Sequence, residues 1–376
     1  MKNKTLLKTF ILIISLIATF FLAELVLRFS GFATIDVYKY DSKTGLTTLI
    51  PNLEFRSKTD CFDNLVKINS QGFHDSEFAL GKREDVFRIA IVGDSFVEAR
   101  NVPIEKSFQY VLEEKLNQDP GKKYEVYAFG IAGNGTFKNY LYLNQYVLKY
   151  KPDLVILAFL PFNDFRDDYL LLSKIFDENG KVKTSLPMGE KLISKSIFLT
   201  WLDYKWQVAK TSENFNKLKS IFSPNKTETD LPFDFQVFLK DYPESWQKIW
   251  DLEKTLITQF KETVEENQSK FLLVSLIDIW RAHPDLLAQD EQYGPYVKQF
   301  DLDLDKPEKL LEEFAKNENI PFLNLKDVLG ERAKMENQII FLYPCDGHWN
   351  ERGNLWAGEV ISDFLNQENN QKLITK

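Results

Sequence analysis

Residues 87–96 are Phe-Arg-Ile-Ala-Ile-Val-Gly-Asp-Ser-Phe, an apolar run that ends in a Gly-Asp-Ser turn. The run predicts a buried β-strand, and the polar sequence after it is compatible with a helix. A turn of this kind at the carboxyl end of a parallel strand presents a serine hydroxyl as a nucleophile. Gly-Asp-Ser also occurs by chance in loops, so the interpretation depends on partners for Ser95 elsewhere in the chain.

The composition is that of a folded, acidic protein. The chain has 376 residues, of which 44% are hydrophobic and 14% aromatic, and this is enough for a sizeable core in one or two domains. The formal net charge is −8 at pH 7. A nucleic-acid partner would require a basic face, so we expect none.

The cysteines and histidines do not predict a metal site or any cofactor. Cys61 and Cys345 are far apart in sequence, and no His or Asp cluster has the spacing of metal ligands. The two cysteines form one disulfide if the domain is exported and they meet in space. Otherwise they are two free, partly buried thiols, which is the interpretation that the sequence alone favours.

The first 33 residues have the pattern of a membrane anchor. An apolar run at 10–27, broken only by Glu24, follows three basic residues, Lys2, Lys4 and Lys8. About 18 residues at 1.5 Å each approach the roughly 30 Å hydrocarbon core of a bilayer. The basic flank predicts a cytoplasmic N-terminus and a periplasmic or extracellular remainder. A cleaved signal peptide is the alternative, since Gly31 and Ala33 offer small residues at the right spacing, but we favour an uncleaved single-pass anchor.

The rest of the chain predicts an α/β fold with a mainly parallel sheet. A lead-in at 34–86 is polar and predicted to be irregular, and apolar runs then alternate with helical patterns over 87–366, as in βαβ units. We expect a three-layer α/β/α, flavodoxin-like domain. Its predicted strands are 87–93, 124–129, 154–159, 271–277 and 321–325, and its predicted helices are 107–117, around 140–147, 244–267, from 307, and 353–365. Residues 168–243 interrupt the pattern and are interpreted as an insertion, either a lid or a helical appendage.

A serine hydroxyl needs a base to take its proton and a third group to orient that base. Of the three histidines, His74 lies in the lead-in and His283 in a loop, neither near a motif. His348 follows an apolar run at 339–342 and precedes a helical pattern. Asp346, two residues earlier in a glycine-containing turn, is placed to accept the imidazole N–H. We therefore expect Ser95, His348 and Asp346 to form the catalytic group.

Two further turns supply hydrogen-bond donors. Gly133 follows the second predicted strand and offers a backbone N–H, and Asn163 follows the third and offers a side-chain amide. Ordinary turn chemistry explains each of them separately. Because Ser95, Gly133 and Asn163 all follow parallel strands, we expect all three at one edge of the sheet, where they can stabilise an oxyanion.

With these residues in this order, the sequence resembles the SGNH (GDSL-type) hydrolase family over about residues 85–365. The resemblance implies that Ser95 is the nucleophile and that its N–H forms an oxyanion hole with Gly133 and Asn163. It also implies that His348 is the general base and that Asp346 orients it. No cofactor is implied.

The sequence departs from the family pattern at three places. Pro161 stands where the third block usually has glycine, and Ala128 stands where the second block often has asparagine. The last block is Asp-x-His in place of the commoner Asp-x-x-His, and this departure concerns the assignment of Asp346. Its ending, His-Trp-Asn, is loosely similar to membrane-tethered members and to proteins that O-acetylate exported polysaccharides such as alginate.

These features favour a membrane-anchored serine esterase that hydrolyses O-acyl esters, foremost carbohydrate-linked acetyl esters, through an acyl-enzyme. An O-acyltransferase acting on an exported polysaccharide would use the same residues. A non-catalytic glycan-binding or assembly protein is a further alternative, with a sugar-stacking surface of Trp201, Tyr204, Trp206, Trp246 and Trp250. Tryptophan in a helical pattern more often belongs to the core, and the complete catalytic set favours an enzyme. The expected partners are an acylated small molecule or glycan and the membrane.

Overall fold

The structure is a computed structural model that describes residues 2–30, 37–40, 44, 46–169, 171, 175–176, 182–183, 231–289, 294–335 and 345–375. The chain divides into two compact units. One comprises Met1–Thr47 with Ser185–Asp230, and the other comprises Thr48–Thr184 with Leu231–Lys376. All the expected site residues belong to the second unit. The apolar run at 339–342 and most of the predicted insertion lie outside the described residues.

The first unit contains an apolar N-terminal helix. Helix α1 covers Lys2–Ser30, and strand β1 covers Tyr38–Tyr40. Within α1, Lys8–Val26 has a mean hydropathy of 2.4, so this helix is long and apolar enough to cross a membrane. A signal sequence at the N-terminus would meet the same test of length and composition.

The lead-in is more regular than the sequence predicted. It contains β2 (Thr47–Leu49), β3 (Glu54–Lys58) and β4 (Asp63–Lys67), and the last two strands pair antiparallel as a hairpin. The prediction of an irregular segment was therefore wrong. The inward face of β4 alternates one polar and one apolar residue, Asn64 and Val66, so the hydrophobic signal is weak. The Asn64 side-chain amide donates to the carbonyl groups of Arg100 and Val102, which fixes the hairpin to the main domain.

The main sheet has five parallel strands in the order β6-β5-β7-β8-β9. They are β5 (Phe87–Gly93), β6 (Tyr124–Gly130), β7 (Leu154–Phe159), β8 (Lys270–Ser275) and β9 (Phe322–Asn324). This confirms the predicted α/β class, its parallel sheet and the five strands to within a few residues. β5 and β7 are buried along their whole length, as parallel strands covered on both faces should be.

The strand order places a crevice at the end of β5. From β5 the chain goes to β6 on one side, and β7, β8 and β9 follow on the other, so the order reverses at β5. Ligands of open α/β sheets bind at such a switch point, beyond the carboxyl ends of the strands. The turn that carries Ser95 lies at this point.

The helices of the main domain follow the strands closely. In chain order they are α2 (Ser95–Glu98), α3 (Phe108–Leu116), α4 (Thr136–Tyr142), α5 (Asp164–Tyr169), α6 (Phe233–Gln236), α7 (Glu244–Glu266), α8 (Ile279–Ala282), α9 (Pro284–Gln289), α10 (Gly294–Gln299), α11 (Lys306–Asn317), α12 (Leu325–Met335) and α13 (Glu351–Asn366). The predicted helices at 107–117, 244–267, from 307 and at 353–365 are confirmed. The helix predicted around 140–147 begins as α4 and continues as a π-helical turn, Leu143–Val147.

Candidate active site

Ser95 is the first residue of α2, directly beyond β5. The Asp94 carboxylate caps this short helix by accepting the Phe96 N–H at 2.9 Å. Gly93 is needed for the close packing of the turn, because a Cβ there would lie 2.5 Å from Val97 and 3.1 Å from Ala158. The strand end, the cap and the glycine together fix the direction in which the Ser95 hydroxyl points.

Ser95, His348 and Asp346 form a continuous hydrogen-bonded chain. His348 Nε2 lies 2.7 Å from Ser95 Oγ, although the two residues are 253 positions apart. On the other side of the ring, His348 Nδ1 lies 2.6 Å from Asp346 Oδ1. When Nδ1–H donates to the carboxylate, Nε2 is left as the acceptor for the serine hydroxyl, which is the arrangement needed to remove its proton.

The surroundings of His348 favour a charged imidazolium. Burial lowers the pKa of His348, but the hydrogen bond and the charge of Asp346, with smaller contributions from Asp94 and Glu98, raise it above the ordinary histidine value. Burial raises the pKa of Asp346, but the hydrogen bond and the charge of His348 lower it by more. The pKa of Asp346 is therefore below its ordinary value, and this carboxyl group stays ionised. The pair can therefore hold a proton taken from Ser95.

The segment Cys345–Asn350 carries Asp346 and His348 and is fixed at both ends. At its C-terminal end, the Asn350 side chain caps α13 by accepting the N–H groups of Arg352 and Gly353. Trp349 is 1% exposed, and its indole N–H donates to the Ile277 carbonyl at 3.1 Å. The indole therefore anchors the residue next to His348 in the core.

At the other end of this segment, Cys345 forms a disulfide with Cys61, with a Cα–Cα distance of 6.1 Å. The prediction of two free thiols, which the sequence alone favoured, is therefore wrong. Cys61 lies in the turn of the β3–β4 hairpin, so the bond joins the lead-in to the residue before Asp346. A separation of 284 residues gives no sequence signal for this contact.

Asn163 lies at the same sheet edge, beyond β7. Its Nδ2 donates to the Asp94 carboxylate at 3.3 Å, and an amide nitrogen carries a second hydrogen for another acceptor. Mainly because it is buried, the pKa of Asp94 is raised to about 6, although hydrogen bonds from Phe96 and Asn163 and the charge of His348 oppose this. Asn163 is thus positioned by the residue that precedes Ser95.

Gly133 belongs to a turn beyond β6. The Asn134 N–H donates to the Ile131 carbonyl at 3.3 Å, and Gly133 has a φ of +74°, which favours glycine at this place. Gly133 does not line either of the two cavities that contain Ser95. Ser95, Asn163, His348 and Asp346 are brought together around one cavity, while Gly133 lies in the neighbouring turn.

Two cavities meet at Ser95 and His348. The larger, of about 380 Å³, is also lined by Asn163, Arg166 and Trp280. The smaller, of about 70 Å³, lies on the hairpin side. Its lining includes Ser57, Phe62, Glu98 and Arg100. A depression of about 740 Å³ between α7 and α11 includes none of the expected site residues, so its size does not make it the candidate site.

One buried acid, Asp164, braces the loop that carries Asn163, and two more buried acids, Asp168 and Glu253, lie close to it. Asp164 accepts the Leu160 N–H at 2.9 Å, and Asp168 accepts the Phe137 N–H at 3.1 Å. Burial raises the pKa of Asp164 and of the nearby Glu253, and it raises that of Asp168 to about 7. An acid with a raised pKa can keep its proton, and it can then donate a hydrogen bond to a neighbouring carboxylate. In the described parts of the chain, no group of His, Cys, Asp or Glu is arranged to hold a metal ion.

Sequence reasoning missed the contributions of α8 and the hairpin. Trp280 follows β8, so the same sheet-edge rule that located Asn163 would have found it. Among the aromatic residues suggested for sugar stacking, Trp246 is 2% exposed and Trp250 packs on Phe165 beside the other depression. The remaining three, Trp201, Tyr204 and Trp206, lie outside the described residues.

No protein-family model and no curated protein matches the chain. Its fold is similar to solved structures that include an acetyl xylan esterase (16% identity, TM-score 0.41, covering 74% of this chain and 98% of that one). Another is an acetylxylan esterase from Geobacillus stearothermophilus (12% identity, TM-score 0.43, covering 75% of this chain and 95% of that one). A third is a protein from Desulfitobacterium hafniense described as lipolytic and of the G-D-S-L family (15% identity, TM-score 0.35, covering 73% of this chain and 98% of that one). At these identities and scores, the similarities do not bear on what this chain does.

Proposed function

We propose that this protein is a serine esterase of the SGNH type, which hydrolyses O-acyl esters through an acyl-enzyme intermediate. The observation that supports this most directly is the chain of hydrogen bonds from Ser95 Oγ through the His348 ring to Asp346, at 2.7 and 2.6 Å. Such a chain converts a weak nucleophile into one that attacks at neutral pH. Its position at the switch point of the sheet, in an open cavity, leaves room for a substrate.

The first half-reaction forms the acyl-enzyme. His348 Nε2 takes the proton of Ser95 as Oγ attacks the ester carbonyl carbon, and Asp346 holds the resulting imidazolium. The Ser95 N–H, the Asn163 amide and the Gly133 N–H stabilise the oxyanion. The tetrahedral intermediate collapses, and His348 gives its proton to the departing alcohol.

The second half-reaction returns the enzyme to its starting state. His348 takes a proton from water as the water oxygen attacks the acyl carbon. Collapse of this second intermediate breaks the bond to Ser95, which recovers its proton from His348. The acid leaves, and the net change is one water added across one ester bond.

The substrate we favour is an acetyl ester on a carbohydrate. The larger cavity combines an aromatic side chain, Trp280, with polar groups from Asn163 and Arg166, and this mixture suits the apolar face and the hydroxyl groups of a sugar ring. The test is acetate release from acetylated oligosaccharides, together with hydrolysis of p-nitrophenyl esters of increasing chain length. We expect acetyl esters to be preferred and Ser95→Ala to be inactive. A clear preference for long acyl chains would contradict the proposal.

Acyl transfer to a hydroxyl group is the second candidate. Ser95 and His348 are open to two cavities, so an acceptor has a second approach to the acyl-enzyme from the hairpin side. A glycan acceptor added to the assay distinguishes the two reactions. A transferase yields an acetylated glycan at the expense of free acetate, whereas a hydrolase yields acetate alone. A protein that binds the glycan and yields neither product would instead be a non-catalytic binding module.

The proposed location is the outer side of a membrane, with residues 1–33 as a single-pass anchor, 34–86 as the lead-in and 87–366 as the catalytic domain. The disulfide supports this, because disulfides persist in oxidising compartments outside the cytoplasm. In intact cells we expect Cys61 and Cys345 to resist maleimide unless a reductant is added first. Rapid labelling without reductant would show that the two thiols are free, and it would remove this support for an outer location.

A further inference from the structure

We infer that Glu98 is a positioning residue of the oxyanion hole, and that its carboxylate holds the turn Ile131–Asn134 so that the Gly133 N–H faces the oxyanion formed at Ser95. This inference rests on the proposed function. It concerns a residue outside the Ser95–His348–Asp346 chain, and it links the helix that begins at Ser95 to the turn that contains Gly133.

The Glu98 side chain reaches the turn directly. Glu98 Oε2 accepts the Ala132 N–H at 2.8 Å. The residue is only 2% exposed, and its other carboxylate oxygen is paired with the Arg100 guanidinium. A buried carboxylate that accepts a backbone N–H makes a strong, charge-assisted hydrogen bond. Ala132 is therefore tied firmly to the helix that begins at Ser95.

The geometry of the turn transmits this anchor to Gly133. With its positive φ at the third position, the turn matches type II, in which glycine is preferred. The N–H of Ala132 and the N–H of Gly133 belong to successive planar peptides, so only the two dihedrals of Ala132 separate their directions. A group that fixes the first peptide plane thus limits the direction of the second.

The backbone of Glu98 is held as firmly as its side chain. The Glu98 carbonyl lies 2.9 Å from His74 Nδ1, and His74 itself is 2% exposed. On the other side, a Cβ at Gly130 would come within 2.1 Å of the Glu98 nitrogen, so β6 and α2 are in direct contact. One rigid unit therefore contains Ser95, the Glu98 carboxylate and the turn Ile131–Asn134. A preorganised hydrogen-bond donor requires such rigidity.

The arrangement around Glu98 also gives a role to His74. From the sequence, His74 was placed away from every motif, but the structure places its ring against the carbonyl of the residue that holds the oxyanion turn. Burial is the largest influence on the pKa of His74 and lowers it, so the imidazole is held neutral. His74 therefore acts here as a support for the Glu98 backbone.

The experiment compares Glu98→Ala with Glu98→Gln in the full-length protein, using p-nitrophenyl acetate as substrate. Titration with a fluorophosphonate gives the concentration of active sites, so kcat is expressed per reactive serine and a partly unfolded sample is corrected for. We expect Glu98→Ala to lower kcat by about 10–100-fold. KM should change less than about threefold, because the Gly133 N–H stabilises the oxyanion and not the bound ester. Glu98→Gln should keep kcat within about fivefold, since its amide oxygen still accepts from Ala132.

Binding of phenylboronic acid gives an independent readout, because its tetrahedral adduct with serine carries the negative charge of the oxyanion. Its Kd should rise in Glu98→Ala in proportion to the loss of kcat, and the exposed control Glu105→Ala should leave both unchanged. Wild-type kcat per site in Glu98→Ala, or an equal loss in Glu98→Gln, would overturn the inference. If wild-type protein is neither labelled nor active, the proposed function fails first and the inference fails with it.

Discussion

The two halves of the candidate site are held by different means. Ser95 and Asn163 lie at the ends of neighbouring strands, β5 and β7, whose residues are wholly buried. Asp346 and His348 lie on a short segment between Cys345 and Asn350 that belongs to no strand. That segment is fixed by a disulfide, a buried indole and a helix cap.

This difference shows where each half is vulnerable. The half that carries Ser95 and Asn163 is held by the packing of the sheet, so only changes in the core or in the turn itself should displace it. The half that carries Asp346 and His348 depends on a covalent bond to the β3–β4 hairpin, so it should respond to redox conditions and to changes in the lead-in. The lead-in is therefore part of the site, although it precedes the first strand of the main sheet.

Removing Ser95 or His348 from the hydrogen-bonded chain should have the largest effect. We expect Ser95→Ala and His348→Ala each to lower kcat by roughly 10⁴–10⁶-fold, since residues of a catalytic triad act as a unit. The double variant should be no worse than either single variant, as measured with an acetyl ester. Losses that multiply in the double variant would show that the two residues act independently.

Loss of the Asn163 amide should have the next largest effect. Asn163→Ala removes one proposed oxyanion donor, and we expect kcat to fall by about 10²–10³-fold with the fold intact. Circular dichroism and the melting temperature check the fold. An unchanged turnover would remove Asn163 from the site and leave its bond to Asp94 as a purely structural contact.

Opening the disulfide should disturb the segment that carries Asp346 and His348 and should also destabilise the fold. In Cys61→Ser/Cys345→Ser we expect kcat to fall roughly tenfold, because the Asp346–His348 segment loses one of its three attachments. The free energy of unfolding should fall by about 2–5 kcal/mol. Dithiothreitol should reproduce the loss in wild-type protein and leave the double variant unchanged. Full activity of the reduced wild-type protein would show that the indole and the helix cap suffice.

The smallest effect is expected in the pH profile. His348 must be neutral to accept a proton, and its pKa is raised by Asp346 against the opposing effect of burial. Activity should therefore fall as the pH drops through a value above the ordinary histidine pKa of about 6.5. In Asp346→Asn we expect this acidic limb of the pH profile to move to lower pH, and we expect kcat to fall. A limb that stays in place would mean that Asp346 does not contact the base.

The sequence predicted the parts of this structure that depend on local pattern. The five strands, the helix after β5 and the shared sheet edge of Ser95 and Asn163 all follow from hydrophobic periodicity and parallel connectivity. The disulfide was not predictable, because a separation of 284 residues carries no geometric information. The contact between Glu98 and the Ala132 N–H was not predictable either, because one buried acid in a short helix has the same sequence pattern as an exposed one.

The most direct test of an activated Ser95 is fluorophosphonate labelling of the detergent-solubilised full-length protein, with the modified peptide located by mass spectrometry. A reactive serine needs its base, so we expect one label on Ser95 in wild-type protein and none in His348→Ala. A label on another residue, or none on folded wild-type protein, would contradict the proposal that the Ser95–His348–Asp346 chain activates a nucleophile.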